Sequence, residues 1–292
     1  MRRYWMVYLM LLPVAIYYLI FKYGSMGYLV IAFQNFKTAK GIMGSQWVGL
    51  DNFVKFFNNS YCWRLIRNTL LLNVYGIIFS FPAPILLALM LNEVPHEGMK
   101  RSIQTISYAP HFISTVVMVG IIMLMLSPSY GVVNTVIKAL GHDPIYFMSL
   151  PSAFRHIYVW SGVWQGMGWS AVIYLSALSA VDPELHEAAR IDGASRLMRI
   201  RHINIPAIQP TVVILFVMSV GQLASVGYEK IYLLQNDLNV NVSEVISTYV
   251  YKRGIENTNY SFSAAVGLFN NVINIVLLLC ANAVSHRLSQ TS

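Results

Sequence analysis

Long apolar runs separated by shorter polar stretches dominate the chain. Six runs reach the ~20 residues a helix needs to cross a hydrocarbon core about 30 Å thick. They cover roughly 5–33, 68–91, 106–126, 156–180, 207–227 and 262–284. None alternates like a barrel strand, and inside lipid every backbone N–H and C=O must be paired within the protein. Each run therefore predicts a helix. Lys22 interrupts the first and marks a bend or its outer boundary. Pro13, Pro82, Pro84, Pro110 and Pro210 fall inside runs. Each removes a helical hydrogen bond, which a bundle tolerates where neighbours re-satisfy the carbonyl. The predicted fold class is all-α: a polytopic membrane bundle of six transmembrane helices. No internal repeat divides it, so 1–292 reads as one domain. Met1-Arg2-Arg3 leads directly into the first run, which reads as a retained span rather than a cleaved signal.

Composition agrees. Charged residues make up 11% of the 292 and apolar residues 56%, against about 25% charged in a soluble domain. The net charge of +8 comes from bases scattered among apolar runs, with no basic stripe. That pattern fits the flanks of membrane helices and excludes a nucleic-acid partner. Cys62 and Cys280 have no CxxC spacing, and the seven histidines form no HxxxH or HExxH pair. Neither a metal, a disulfide nor a cofactor is predicted.

Six spans put both termini on one side. If that side is cytoplasmic, the inner bases are Arg2, Arg3, Lys100, Arg101, Arg190, Arg196, Arg199, Arg201 and Arg287. These are 9 of the 20 Lys and Arg residues, so the count alone does not decide. The outer loops (34–67, 127–155, 228–261) are much longer than the inner ones, so charge density leans toward cytoplasmic N- and C-termini, and the orientation rests on the 182–206 segment. The outer loops carry Trp47, Phe53, Phe56, Phe57, Tyr61 and Trp63. These suit either contact with an external protein or anchoring at the membrane interface.

One polar segment, 182–206, stands out between two spans. Asp182 can cap a helix and Pro183 fits its first turn. Glu184 and Glu187 favour the N-terminal end of the helix dipole, and Gly193 permits the left-handed residue that ends a helix. A second short helix bearing Arg196, Arg199 and Arg201 follows, until Pro206 opens the next span. An organised, charged helix–turn–helix of this kind suits docking to a partner, whereas most connections in compact bundles are short.

Within this segment Glu187-Ala188-Ala189, Gly193 and Ile203-Asn204-Ile205-Pro206 resemble the EAA–G–I-x-L-P loop of binding-protein-dependent ABC importer permeases. The fuller form Glu-Ala-Ala-x-x-Asp-Gly-Ala is matched at 187–194, with Ile205 in place of the usual Leu. The likeness covers most of the chain and is nearest to the carbohydrate-uptake (MalF/UgpA-like) branch, in particular the LplB-type polysaccharide permeases. It runs through Trp47–Phe53, Asn68-Thr69-Leu70, Ala88–Glu93 and Gln104–Ser114, with Ala109 where the family usually has Leu. The resemblance implies the type I importer permease fold in a bacterial inner membrane. It implies that 182–206 is a cytoplasmic coupling loop in a cleft of the ATPase, with Glu187, Ala188, Ala189, Asp192 and Gly193 at the contact. The implied partners are a second homologous permease subunit, ABC ATPase subunits, an extracellular solute-binding protein, a carbohydrate substrate and membrane lipid. The chain has no Gly-x-x-x-x-Gly-Lys-Ser/Thr phosphate loop, so ATP hydrolysis belongs to a separate subunit.

Sugars are held by aromatic faces, amides and hydroxyls. Tyr158, Gly162, Gln165, Gly166 and Trp169 recur at helical spacing in the fourth run. Ser219, Gln222 and Leu223 share a face of the fifth, and Asn270, Asn271 and Asn274 add amides to the sixth. Such residues either glue helices together or line a polar cavity. The resemblance implies that Gln165, Gly166, Trp169, Ser219 and Gln222 belong to the substrate path. Two other classes fit the residues less well. A membrane-embedded enzyme acting on lipid-linked sugars needs a carboxylate cluster at a span end, but Asp182, Glu184, Glu187 and Asp192 fit a docking helix better. A secondary transporter needs coupling charges inside spans, where only Lys22 is a candidate, and usually an inverted repeat.

Overall fold

The computed structural model describes residues 5–289. In chain order its principal elements are α1 (Trp5–Phe33), the short strands β1 (Gln34–Asn35) and β2 (Gln46–Trp47), α2 (Asp51–Phe57), α3 (Cys62–Ser80), α4 (Pro82–Asn92), α5 (Glu97–Tyr108), α6 (Thr115–Met125), α7 (Pro151–Ser179), α8 (Pro183–Ile191), α9 (Arg196–Arg199), α10 (Ile205–Val220), α11 (Tyr228–Leu234) and α12 (Tyr260–Ser289). Arg2 and Arg3 lie outside the described residues, as does the side chain of Arg287.

Among the described residues, four helical stretches are long and apolar enough to cross a membrane: Trp5–Phe33, Cys62–Asn92, Arg196–Val220 and Tyr260–Ala283. The pair Glu97–Phe112 and Thr115–Met125, bent by 101°, makes a fifth candidate. α7 has 29 residues, about 44 Å at 1.5 Å per residue. Its Trp, Tyr, Ser, Gly and Gln side chains make it less apolar than those four.

Three expectations change in detail. The run over 106–126 is not one helix. The α5 segment tightens into a 3₁₀ turn at Ala109–Phe112 and the chain becomes extended at Ile113 and Ser114. Ser114 then caps α6 by accepting the Val117 N–H at 3.4 Å. Pro110 and a Ser cap are the local causes. Lys22 is not a helix boundary: it sits in a π-helical stretch, Tyr18–Tyr23, and the helix continues to Phe33. α10 stops at Val220 rather than 227. The irregular backbone beyond it is held by side chains. Asn73 Nδ2 donates to Leu223 O at 2.6 Å, Asn274 Oδ1 accepts from Ala224 N at 2.9 Å, and Asn274 Nδ2 donates to Ser225 Oγ at 2.6 Å. Non-helical backbone at membrane depth requires such partners.

The chain divides into two compact units. The first takes in residues up to Trp63 together with Tyr249–Val272. Here β1 and β2 pair antiparallel, with Gln34 opposite Trp47. Buried Asn52 donates to Ala32 O and Gln34 O at 2.8 and 3.0 Å, tying α2 to the end of α1. Phe56, 1% exposed, packs against Phe262 and Phe269.

The second unit, Arg64–Thr248 with Ile273 onward, is organised by α7. One stretch of α7 (Phe154, Val159, Val163) joins Leu72 of α3, Met118 and Ile122 of α6, and Ile231 and Leu234 of α11. A later stretch (Ala171, Tyr174, Leu178) joins Ala88 and Leu91 of α4 and Ile208 of α10. Lipid supplies little hydrophobic drive between helices, so close van der Waals fit decides the packing. Gly168 shows how close it is: a Cβ there would overlap the Ser107 carbonyl of α5.

Candidate functional site

Two places in the second unit carry chemistry. The first is the helix–turn–helix at 182–206. Asp182 caps α8 by accepting the Glu184 N–H at 3.0 Å. α8 ends where Gly193 adopts φ +78°. Ala194 N donates to Ala189 O at 2.8 Å and Gly193 N to Arg190 O at 3.1 Å, the paired bonds of a Schellman cap. Ser195 then caps α9 by accepting the Met198 N–H at 3.4 Å. Glu187, Ala188, Asp192 and Gly193 are exposed and Ala189 is partly covered. Ile191 and Leu197 are 87% and 74% exposed, so the polar segment presents apolar side chains that nothing in its own unit covers. Its base, by contrast, is fastened. Arg199 is buried and faces Glu93 at the end of α4, and Asn204 Nδ2 reaches the same carboxylate at 3.5 Å.

The second place is a cavity of about 570 Å³ among α3, α4, α7, α10 and α11. That volume lies within the roughly 300–1,000 Å³ of small-molecule sites. Gln165, Ser219 and Gln222, three residues predicted for the substrate path, line it together, with Tyr158, Asn73 and Lys230. One amide N–H of Gln165 goes to Ile113 O at 2.9 Å, the carbonyl freed by the break before α6. Ser219 Oγ donates to Leu215 O in its own helix at 2.8 Å. Gly166 and Trp169 lie outside the lining. A Cβ at Gly166 would meet nothing within 4 Å. Trp169 is half-exposed, stacks on His111 with ring centres 4.8 Å apart, and meets Phe112 edge-on at 5.8 Å.

Comparison with known proteins supplies the family. Residues 80–290 match the binding-protein-dependent transport system inner membrane component family. The chain belongs to that family. It is the permease subunit of an ABC importer and an inner membrane component. The permease is 41% identical to the polygalacturonan/rhamnogalacturonan transport system permease protein YteP of Bacillus subtilis, over 97% of this chain and 88% of that protein. It is 42% identical to protein LplB of the same organism, over 97% and 89% of the two chains. Among solved structures it is similar to a chain of a bacterial ABC transporter involved in the import of the acidic polysaccharide alginate. The TM-score is 0.90 at 42% identity, covering 98% of this chain and 96% of that one.

Some site residues of the permease were missed by sequence reasoning. Lys230 follows Glu229 in a stretch read as an outer loop, and no local pattern separates it from a solvated base. Asn73 is a single amide within an apolar run. Glu93 stands some hundred residues before Arg199 in the chain, and only the fold joins them.

Proposed function

We propose that the permease forms half of the translocation path for a saccharide, an oligosaccharide or carbohydrate polymer fragment, and that 182–206 couples that path to a separate ATPase. The single observation that supports coupling most is the exposed, doubly capped helix pair. It carries Glu187-Ala188-Ala189 and Gly193 beside uncovered Ile191 and Leu197. Small residues at 188 and 189 permit close approach of a second surface, a carboxylate at 187 fixes its register, and Asp192 and Gly193 shape the turn. Closure of an ATPase dimer would pull on this pair, and the buried Arg199–Glu93 contact would pass the movement to α4 as a rigid-body rocking.

In this reading the chain is one permease domain over 1–292, with six membrane crossings. The bent α5–α6 pair and α7 count as spans, the helix pair at 182–206 is the coupling helix, and both termini are cytoplasmic. A second homologous permease subunit, ABC ATPase subunits and an extracellular solute-binding protein complete the importer. The printed functions of relatives favour a saccharide cargo: YteP is a polygalacturonan/rhamnogalacturonan permease, and one solved relative is an alginate transporter in complex with a periplasmic protein bound to an alginate pentasaccharide. Gln165, Ser219 and Gln222 are proposed to contact the cargo in the cavity. The proposed path also takes in Gly166 and Trp169, whose half-exposed ring is a face of the kind sugars stack on.

The test is co-purification and transport. Glu187→Lys is expected to leave the permease in the membrane while abolishing ATPase co-purification and saccharide uptake. Uptake at the wild-type rate by that variant would overturn the coupling role.

A further inference from the structure

The cavity in the second unit carries a single charge. Its polar lining consists of amides and hydroxyls, with Lys230 the one ionisable cation and no carboxylate. Lys230 Nζ donates to Tyr158 O at 3.2 Å and stands 5.1 Å from the centre of the Tyr158 ring. Gly162 leaves space beside it, since even an added Cβ there would stay 3.6 Å from Nζ. An ammonium has three donors, and one carbonyl uses one of them.

Two other cations of the same unit have acidic partners. Arg64 pairs with Glu244 at 3.1 Å and Arg199 with Glu93 at 3.5 Å. Lys230 has no acidic partner among the described residues. A half-buried ammonium without a counter-charge is costly. Pinning the Tyr158 carbonyl does not require one, because a neutral amide donates equally well. Walls of low dielectric around charges of one sign focus an attractive field on anions.

We propose that Lys230 is a specificity-determining residue that recognises an anionic group on the cargo, so that the permease carries acidic saccharides. The proposal rests on the saccharide reading above and narrows it to one chemical class. Burial lowers Lys230 to about 8, which still leaves it charged at neutral pH. Carboxylate and sulfate ester groups share the chemistry that an ammonium recognises.

The experiment uses the assembled importer with its binding protein in proteoliposomes and three cargoes: tetragalacturonate, its carboxyl-reduced neutral counterpart, and a sulfated galactose tetramer. Lys230→Gln is expected to slow uptake of an anionic tetramer about tenfold, the worth of one charge-assisted hydrogen bond, and to leave neutral uptake unchanged. Lys230→Arg is expected to restore the anionic rate, which a merely structural amide donor at 230 would not require. The favoured anionic tetramer identifies carboxylate or sulfate as the recognised group. Equal slowing of charged and neutral cargo by Lys230→Gln, or wild-type anionic uptake in that variant, overturns the proposal. Wild-type uptake of the neutral tetramer in preference to both anionic ones overturns the proposal and leaves the saccharide reading standing.

Discussion

Arg199, in α9, and Glu93, at the end of α4, face each other in the interior with side chains 7% and 19% exposed and Nη2 to Oε2 at 3.5 Å. Their separation is long for a hydrogen bond, and Arg199 Nε and Asn204 Oδ1 remain buried without partners. The contact fastens the base of an otherwise exposed helix pair to the bundle.

Removing one member of a buried pair leaves the other charge uncompensated, at a cost of about 3–5 kcal/mol. Glu93→Ala is therefore expected to lower the thermal stability of the purified complex. It should also reduce transport per ATP hydrolysed more than ATPase binding. Glu93→Ala complexes with unchanged melting and unchanged coupling ratio would show that the pair carries neither load.

Gly193 sits at φ +78°, where a proline cannot go because its ring holds φ near −65°. Gly193→Pro should lose the Schellman bonds to Ala189 and Arg190. The variant should insert normally but transport nothing. Gly193→Ala, held at the same positive φ, should cost about 1–2 kcal/mol and retain partial transport. Equal transport by both variants would separate the cap from coupling.

Two glycines of α7 make a matched pair. A methyl at Gly168 collides with the Ser107 carbonyl, whereas one at Gly166 meets open space. Gly168→Ala should destabilise the complex by about 1–3 kcal/mol through overpacking, and Gly166→Ala should not. Differential scanning fluorimetry of the two complexes decides between them.

The pH response of Lys230 has a fixed sign. Desolvation lowers its pKa from 10.5 to about 8. Lys230 touches Tyr158 of α7, Tyr174 lines the same cavity, and Glu229, its neighbour in the chain, forms no ion pair with it among the described residues. The ammonium is charged below about pH 8 and neutral above. Any preference for an anionic cargo should be full at pH 7 and fade as pH rises through 8. For stability, the unfolded chain binds more protons between about 8 and 10.5, so stability should rise with pH across that window and be level below it. The difference between wild type and Lys230→Gln in thermal unfolding at pH 7 and 9.5 measures this. A difference independent of pH would contradict the assignment.

What the sequence determined by itself is local and periodic. Run length and apolarity foretold helices, because backbone groups in lipid have no other way to be paired. Asp182, Pro183 and Gly193 specify caps within four or five residues of themselves, so the start and end of α8 were legible, whereas the Ser195 cap of α9 was not read. The break between α5 and α6 was half-legible in Pro110, since a proline inside a run signals a kink without stating its size. Tertiary structure alone decided the rest. The cavity, the approach of Gly168 to α5, the seating of Asn73 and Asn274 under irregular backbone, and the meeting of Arg199 with Glu93 join residues far apart in the chain. Lys230 reads as one more base outside a span until the fold sets it against Tyr158 without an ion pair among the described residues. Contacts of that kind depend on how helices pack, and helical periodicity records which face is apolar but not which neighbour it will meet.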